Sequence, residues 1–158
     1  MNHARVSGFT IIELLITVVI VSVLASAALP MAELVLKRDR EQTLRRQLRD
    51  IREAIDNYKR AYDDGKIARR AGDSGYPPSL QVLVDGVLDA SSKTERRMYF
   101  LRKLPVNACA DKALQPIEGW GKRSYASSGD NPKEGADVFD VYPNCSGNGM
   151  NGIPFKDW

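Results

Sequence analysis

From Phe9 to Leu29 the chain runs through 21 residues with one formal charge, Glu13. A helix of that length rises roughly 32 Å, about one hydrocarbon thickness. The run therefore predicts a single transmembrane helix. A cleaved secretory signal is the competing reading, because Arg5 precedes the run and the small residues Ala25, Ser26, Ala27 and Ala28 resemble a cleavage region. The run is longer than a usual secretory apolar core, and a carboxylate inside it does not suit one. Basic residues flank both ends, Arg5 before and Lys37, Arg38 and Arg40 after, so the positive-inside rule alone leaves the orientation open.

A carboxylate at the centre of a membrane helix costs about 2.5–3.5 kcal/mol on insertion scales and less near an end. Two readings fit Glu13: a lone group that snorkels to the interface, or a group paired with a cation. If the chain were cut before Phe9, the new α-amino group would lie four residues away. A neighbouring copy staggered along the helix axis would bring its own amine to the same place, and pairing between copies would make the carboxylate an assembly device.

The stretch Gly8-Phe9-Thr10-Ile11-Ile12-Glu13-Leu14 resembles the leader-peptide signal of type IV prepilins and type II secretion pseudopilins, and Pro30 stands where many of these proteins carry a helix-bending proline. The resemblance is closest to the major, G-type pseudopilins. It implies that a prepilin peptidase cuts between Gly8 and Phe9 on the cytoplasmic side and methylates the Phe9 amine. It also implies an inner-membrane, single-pass protein whose C-terminal domain is periplasmic. Phe9, Glu13 and Pro30 become the assembly residues of a periplasmic homopolymer that drives protein secretion. The implied partners are other copies of the chain, minor pseudopilins, and the inner-membrane assembly platform with its ATPase. Glu13 separates the chain from tip-type pseudopilins, which by the same resemblance lack it. A type IV pilus subunit, major or minor, for motility, adhesion or DNA uptake, is the alternative within the superfamily.

After Pro30 the pattern becomes amphipathic: Leu44, Leu48, Ile51, Ile55, Tyr58 and Tyr62 recur at steps of three and four, with Arg45, Arg46, Arg49, Arg52, Lys59 and Arg60 on the other faces. One helix from Phe9 to Ala61, bent near Pro30, is expected to end at Asp63-Asp64-Gly65. The stripe suits packing on the chain's own C-terminal domain better than a coiled coil, being only about three heptads long. Residues 63–75 read as a polar loop. Ser79 is the expected N-cap of a short helix that buries Leu80, Leu83 and Val84 and closes at Gly86. Residues 120–125 and 137–142 alternate as strands of a small antiparallel sheet. Leu104-Pro105-Val106-Asn107 resembles a step of the major pseudopilins, with Asn107 where Asp is common. The expected fold class is α+β and pilin-like: leader 1–8, membrane and filament-core helix 9–29, amphipathic continuation 30–62, and globular domain 63–158.

Cys109 and Cys145 are an even pair outside any CxxC spacing, which suits either a disulfide or two free thiols; an oxidising compartment favours the disulfide. Closing a loop of about 36 residues would contribute roughly 3–4 kcal/mol in the chain-entropy model. Major pseudopilins bind calcium near the C-terminus, and by that resemblance Asp130, Asp137 and Asp140, with Asn144, Ser146, Asn148 and Asn151 nearby, are candidate hard-oxygen donors. Turns and a solvent-facing strand edge account for the same residues.

No catalysis is expected. The single histidine, His3, falls in the leader, and no nucleophile elbow, zinc-protease, phosphate-loop or dinucleotide motif is present. Asp63 and Asp64 are adjacent at a helix end and do not converge on a substrate. The 23 basic and 20 acidic residues are interleaved, giving a formal net charge of +3, so nucleic acid is not an expected partner.

Overall fold

The computed structural model describes residues 8–111 and 113–158, with the side chains of 27–30 outside the description. His3, Arg5 and the rest of the leader before Gly8 lie outside the described residues, as does the Pro30 side chain. The chain divides into two compact units, Met1–Asp39 and Arg40–Trp158. The elements in order are helix α1 (Ile11–Asp63), helix α2 (Leu80–Asp85), strands β1 (Val87–Leu88), β2 (Arg97–Met98), β3 (Trp120–Arg123) and β4 (Asp140–Pro143), and a 3-10 turn at Phe155–Asp157. The class is α+β, with one long N-terminal helix and small antiparallel sheets.

In the second unit the core is built on the apolar stripe of α1. Leu44, Leu48, Ile51, Ala54, Ile55, Tyr58 and Ala61 are buried, together with Ile67, Leu80, Leu83, Trp120, Val138 and Val141. Tyr62, expected within the stripe, is half-buried at its edge, while buried Ala54 and Ala61 complete it. Helix α1 ends two residues beyond the expected Ala61. Its last turn closes with the Lys66 N–H on the Ala61 carbonyl and the Gly65 N–H on the Tyr62 carbonyl. That paired arrangement needs a left-handed residue, and Gly65 supplies it at φ 74°. The loop that follows is not wholly polar, because Ile67 turns back into the core.

Ser79 occupies the N-cap position of α2 in an extended conformation, but its side chain makes no capping bond. Leu80 and Leu83 are buried as expected; Val84 is only half-buried, and Val82 packs against the core instead. The Leu83 carbonyl accepts the N–H groups of both Phe100 and Leu101, tying α2 to the segment after β2.

The strands form two separate two-stranded sheets, β1 with β2 and β3 with β4. Strand β3 stops at Arg123, short of the expected Tyr125, because the next two N–H groups leave the ladder: that of Ser124 reaches the Lys133 carbonyl and that of Tyr125 the Asp137 carboxylate. Strand β4 starts at Asp140, since the Val138 N–H is taken by the Pro77 carbonyl. In the β3–β4 register Gly121 faces Tyr142, whose ring covers it so closely that a Cβ would lie about 2.2 Å from a ring carbon. A side chain at 121 would force the ring aside.

Candidate assembly segment

The first turn of α1 is capped locally. Thr10 precedes the helix, its Oγ1 accepts the Glu13 N–H at 3.3 Å and its carbonyl accepts the Leu14 N–H. A threonine placed three residues before a glutamate is an N-terminal capping pattern, and it starts the helix just inside the apolar run. A carboxylate in the first turn also sits favourably at the positive end of the helix dipole. Among the described residues, the Glu13 carboxylate itself meets no hydrogen-bond donor and no cation.

The apolar side chains that follow are equally without cover. From Ile11 to Leu24 the large hydrophobic residues are 52–82% exposed, and Phe9 is 79% exposed. Burying one such side chain is worth about 1.5–3 kcal/mol, so an unshielded run of them is unfavourable in water and needs an apolar surrounding. The hydroxyls in the run are already satisfied: Thr17 donates to the Leu14 carbonyl, Ser22 to Val18 and Ser26 to Val23. A helix whose backbone and hydroxyl groups are paired internally can enter hydrocarbon without stranding a donor. By length and apolarity, α1 is suited to cross a membrane.

Gly8, Phe9 and Glu13 thus lie together around the start of α1, and the α1 backbone stays helical through position 30. Cys109 and Cys145 form a disulfide, with Cα atoms 6.0 Å apart. The three carboxylates among the proposed calcium donors do not form a cluster. Asp140 Oδ1 accepts from Arg52 Nε at 2.8 Å, and its other oxygen faces Arg123 Nη2 at 3.7 Å. Asp137 accepts the Tyr125 N–H, and Asp130 is exposed on a turn. Among the described residues no group of three His, Cys, Asp or Glu side chains is placed to hold a metal ion. Two guanidinium groups beside Asp140 oppose a cation at that carboxylate.

Polar contacts between α1 and the C-terminal half of the second unit were not legible in the sequence. Gln47 donates to the Val106 carbonyl at 2.7 Å and accepts the Ala108 N–H at 3.2 Å. Buried Asn107 donates to the Gly119 carbonyl and accepts the Cys109 N–H. Buried Glu41 accepts the Met150 N–H at 2.6 Å. Arg52 donates to the Val141 carbonyl and to the main-chain oxygen of Trp158 as well as to Asp140. Each helix residue bonds a main-chain group at least 59 positions away, and only the uncharged or inward placement of Gln47 and Glu41 near the stripe hinted at it.

Residues 3–29 match the family model described as the prokaryotic N-terminal methylation motif. Neither the curated proteins nor the solved structures contain a match to the chain. The matched stretch holds the Gly8–Phe9 junction, Glu13 and the uncovered apolar turns. The chain therefore carries a prokaryotic N-terminal methylation motif, the kind of signal found on type IV pilin-like and pseudopilin-like subunits.

Proposed function

We propose that the chain is a structural subunit of a type II secretion pseudopilus. It is cleaved between Gly8 and Phe9, methylated on the Phe9 amine, held in the inner membrane by α1 and polymerised through that helix into a periplasmic filament. The observation that carries this reading is the match of residues 3–29 to the methylation motif on a helix whose apolar side chains are uncovered among the described residues. Cleavage places a cation at Phe9, and the Glu13 carboxylate of an adjacent copy is its natural partner. Pro30 lies at the end of the segment that must pack in the filament. The other partners of this reading are prepilin peptidase, minor pseudopilins, and the assembly platform with its ATPase.

Co-expression with prepilin peptidase tests the processing step. The expected result is a mass loss equal to residues 1–8 and the gain of one methyl group; an uncut chain overturns the reading. Deleting the gene in its host tests the machine. Loss of secreted enzymes with surface motility intact supports the pseudopilus, and the opposite pattern assigns the subunit to a type IV pilus.

A further inference from the structure

On the face of α1 beside its apolar stripe, Arg45, Arg49 and Arg52 follow one another at steps of four and three. Together with Trp158, Ile153 and Asp157 of the C-terminal segment they line a cavity of about 350 Å³. The three guanidinium groups are not equivalent. Arg52 is committed to Asp140, to the Val141 carbonyl and to the main-chain oxygen of Trp158. The Arg45 guanidinium lies over the Trp158 ring, 4.3 Å from its centroid, which fixes its plane and leaves its N–H edge free. Trp158 is itself held, edge-on to Phe155 at 5.0 Å and with its indole N–H on the Ile153 carbonyl. Glu41, one turn before Arg45, is turned to the Met150 N–H and does not neutralise it. Arg49 has no hydrogen-bond or ion-pair partner among the described residues. Each guanidinium carries five N–H donors, so most of the donor capacity of Arg45 and Arg49 has no acceptor among the described residues.

We infer that this cavity is a docking site for the side-chain carboxylates of an acidic peptide segment on a partner protein. A guanidinium held flat against an indole presents a fixed two-pronged edge, the geometry that a carboxylate accepts in a bidentate pair. The walls contributed by Leu48, Ile153 and the Trp158 ring suit the methylene stems of Asp or Glu and the apolar residues beside them, and they lower the local dielectric around the pair. Asp157 at the rim repels a dianion more strongly than a singly charged carboxylate, which disfavours phosphate. The site is independent of the Phe9–Glu13 contact and does not rest on polymerisation.

Tryptophan emission reads the test, because Trp158 lines the cavity whereas Trp120 is buried in the core. The full chain in detergent micelles is titrated with acetyl-Leu-Glu-Glu-Leu-amide, with the Gln-Gln counterpart and with inorganic phosphate. The Glu-Glu peptide is expected to give a saturable change that the Gln-Gln peptide does not. Arg49→Ala is expected to weaken binding about tenfold or more, with its melting temperature unchanged. Arg45→Lys keeps the charge but loses the fork and is expected to weaken binding measurably. The inference is overturned if the Gln-Gln peptide or phosphate binds as tightly, or if both variants bind like the parent chain. It is also overturned if the cavity is filled by a second copy, seen as a larger particle that Arg49→Ala disperses.

Discussion

The two halves of α1 are one continuous helix built for different surroundings. Between Ile11 and Leu24 every large apolar side chain is more than half exposed, and they point in all directions around the helix axis. From Leu44 to Ala61 the apolar residues keep to one stripe and are buried on residues of the same chain, while Arg45, Arg49, Glu53 and Arg60 take the exposed positions. The second half is completed within the subunit. Among the described residues the first half is left uncovered. On the proposed function, stability of the folded unit and competence to assemble are encoded in separate stretches of one helix, and substitutions in each should be read by different assays.

The largest effect is expected at Glu13. Glu13→Ala should leave cleavage and membrane insertion intact and reduce filament yield to background, measured by shearing and immunoblot; parent-like yield would remove the carboxylate from assembly. In the second unit, Cys109→Ser with Cys145→Ser opens a loop whose closure contributes about 4 kcal/mol in the chain-entropy model. Denaturant unfolding of the purified chain should show that loss, with cleavage by prepilin peptidase unaffected. Ile51→Ala should then cost about 2–5 kcal/mol, because Ile51 is fully buried and its neighbours relax only partly into the gap. Ile16→Ala, the matching change in the first half, should move the same unfolding transition by less than about 0.5 kcal/mol. Equal losses at Ile16 and Ile51 would erase the distinction between the two halves.

What the sequence disclosed followed periodicity and punctuation. The change from all-round apolarity to a stripe at steps of three and four located both halves of α1, and Gly65 and Gly86 stand where α1 and α2 close. Strands β1 and β2 were missed because each is two residues long, too short for alternation to register. Composition shows how many oxygens are nearby and not whom they face; Asp140, offered as a calcium donor, faces Arg52 and Arg123. The contacts of Gln47, Glu41 and Arg52 depend on main-chain groups brought from distant positions, and no local pattern encodes a carbonyl or N–H that arrives from 59 to 109 residues away. In the assembly segment the motif residues were legible, whereas the Thr10 cap emerged only from the geometry of the first turn.

The smallest expected effect is an alkaline one, confined to the second unit. Burial, and after it the nearby Asp73 carboxylate, raises the Tyr58 hydroxyl above its ordinary value, with Arg70 partly opposing the shift. Below about pH 10 the hydroxyl is protonated in both folded and unfolded chains, and its contribution is fully present. As pH rises further the unfolded chain gives up this proton first, so the folded state binds more protons and stability falls until the raised folded value is passed. For one group the slope cannot exceed about 1.4 kcal/mol per pH unit. Tyr58→Phe keeps the ring beside Phe100, 5.3 Å between centroids, and removes the titrating group. The variant should match the parent at neutral pH and lose less stability between pH 10 and 11 in denaturant titrations. Tyr76, whose hydroxyl is also raised by burial, should leave a residual slope in the variant. A parent and variant with parallel alkaline profiles would show that Tyr58 does not govern the high-pH limit of the folded unit.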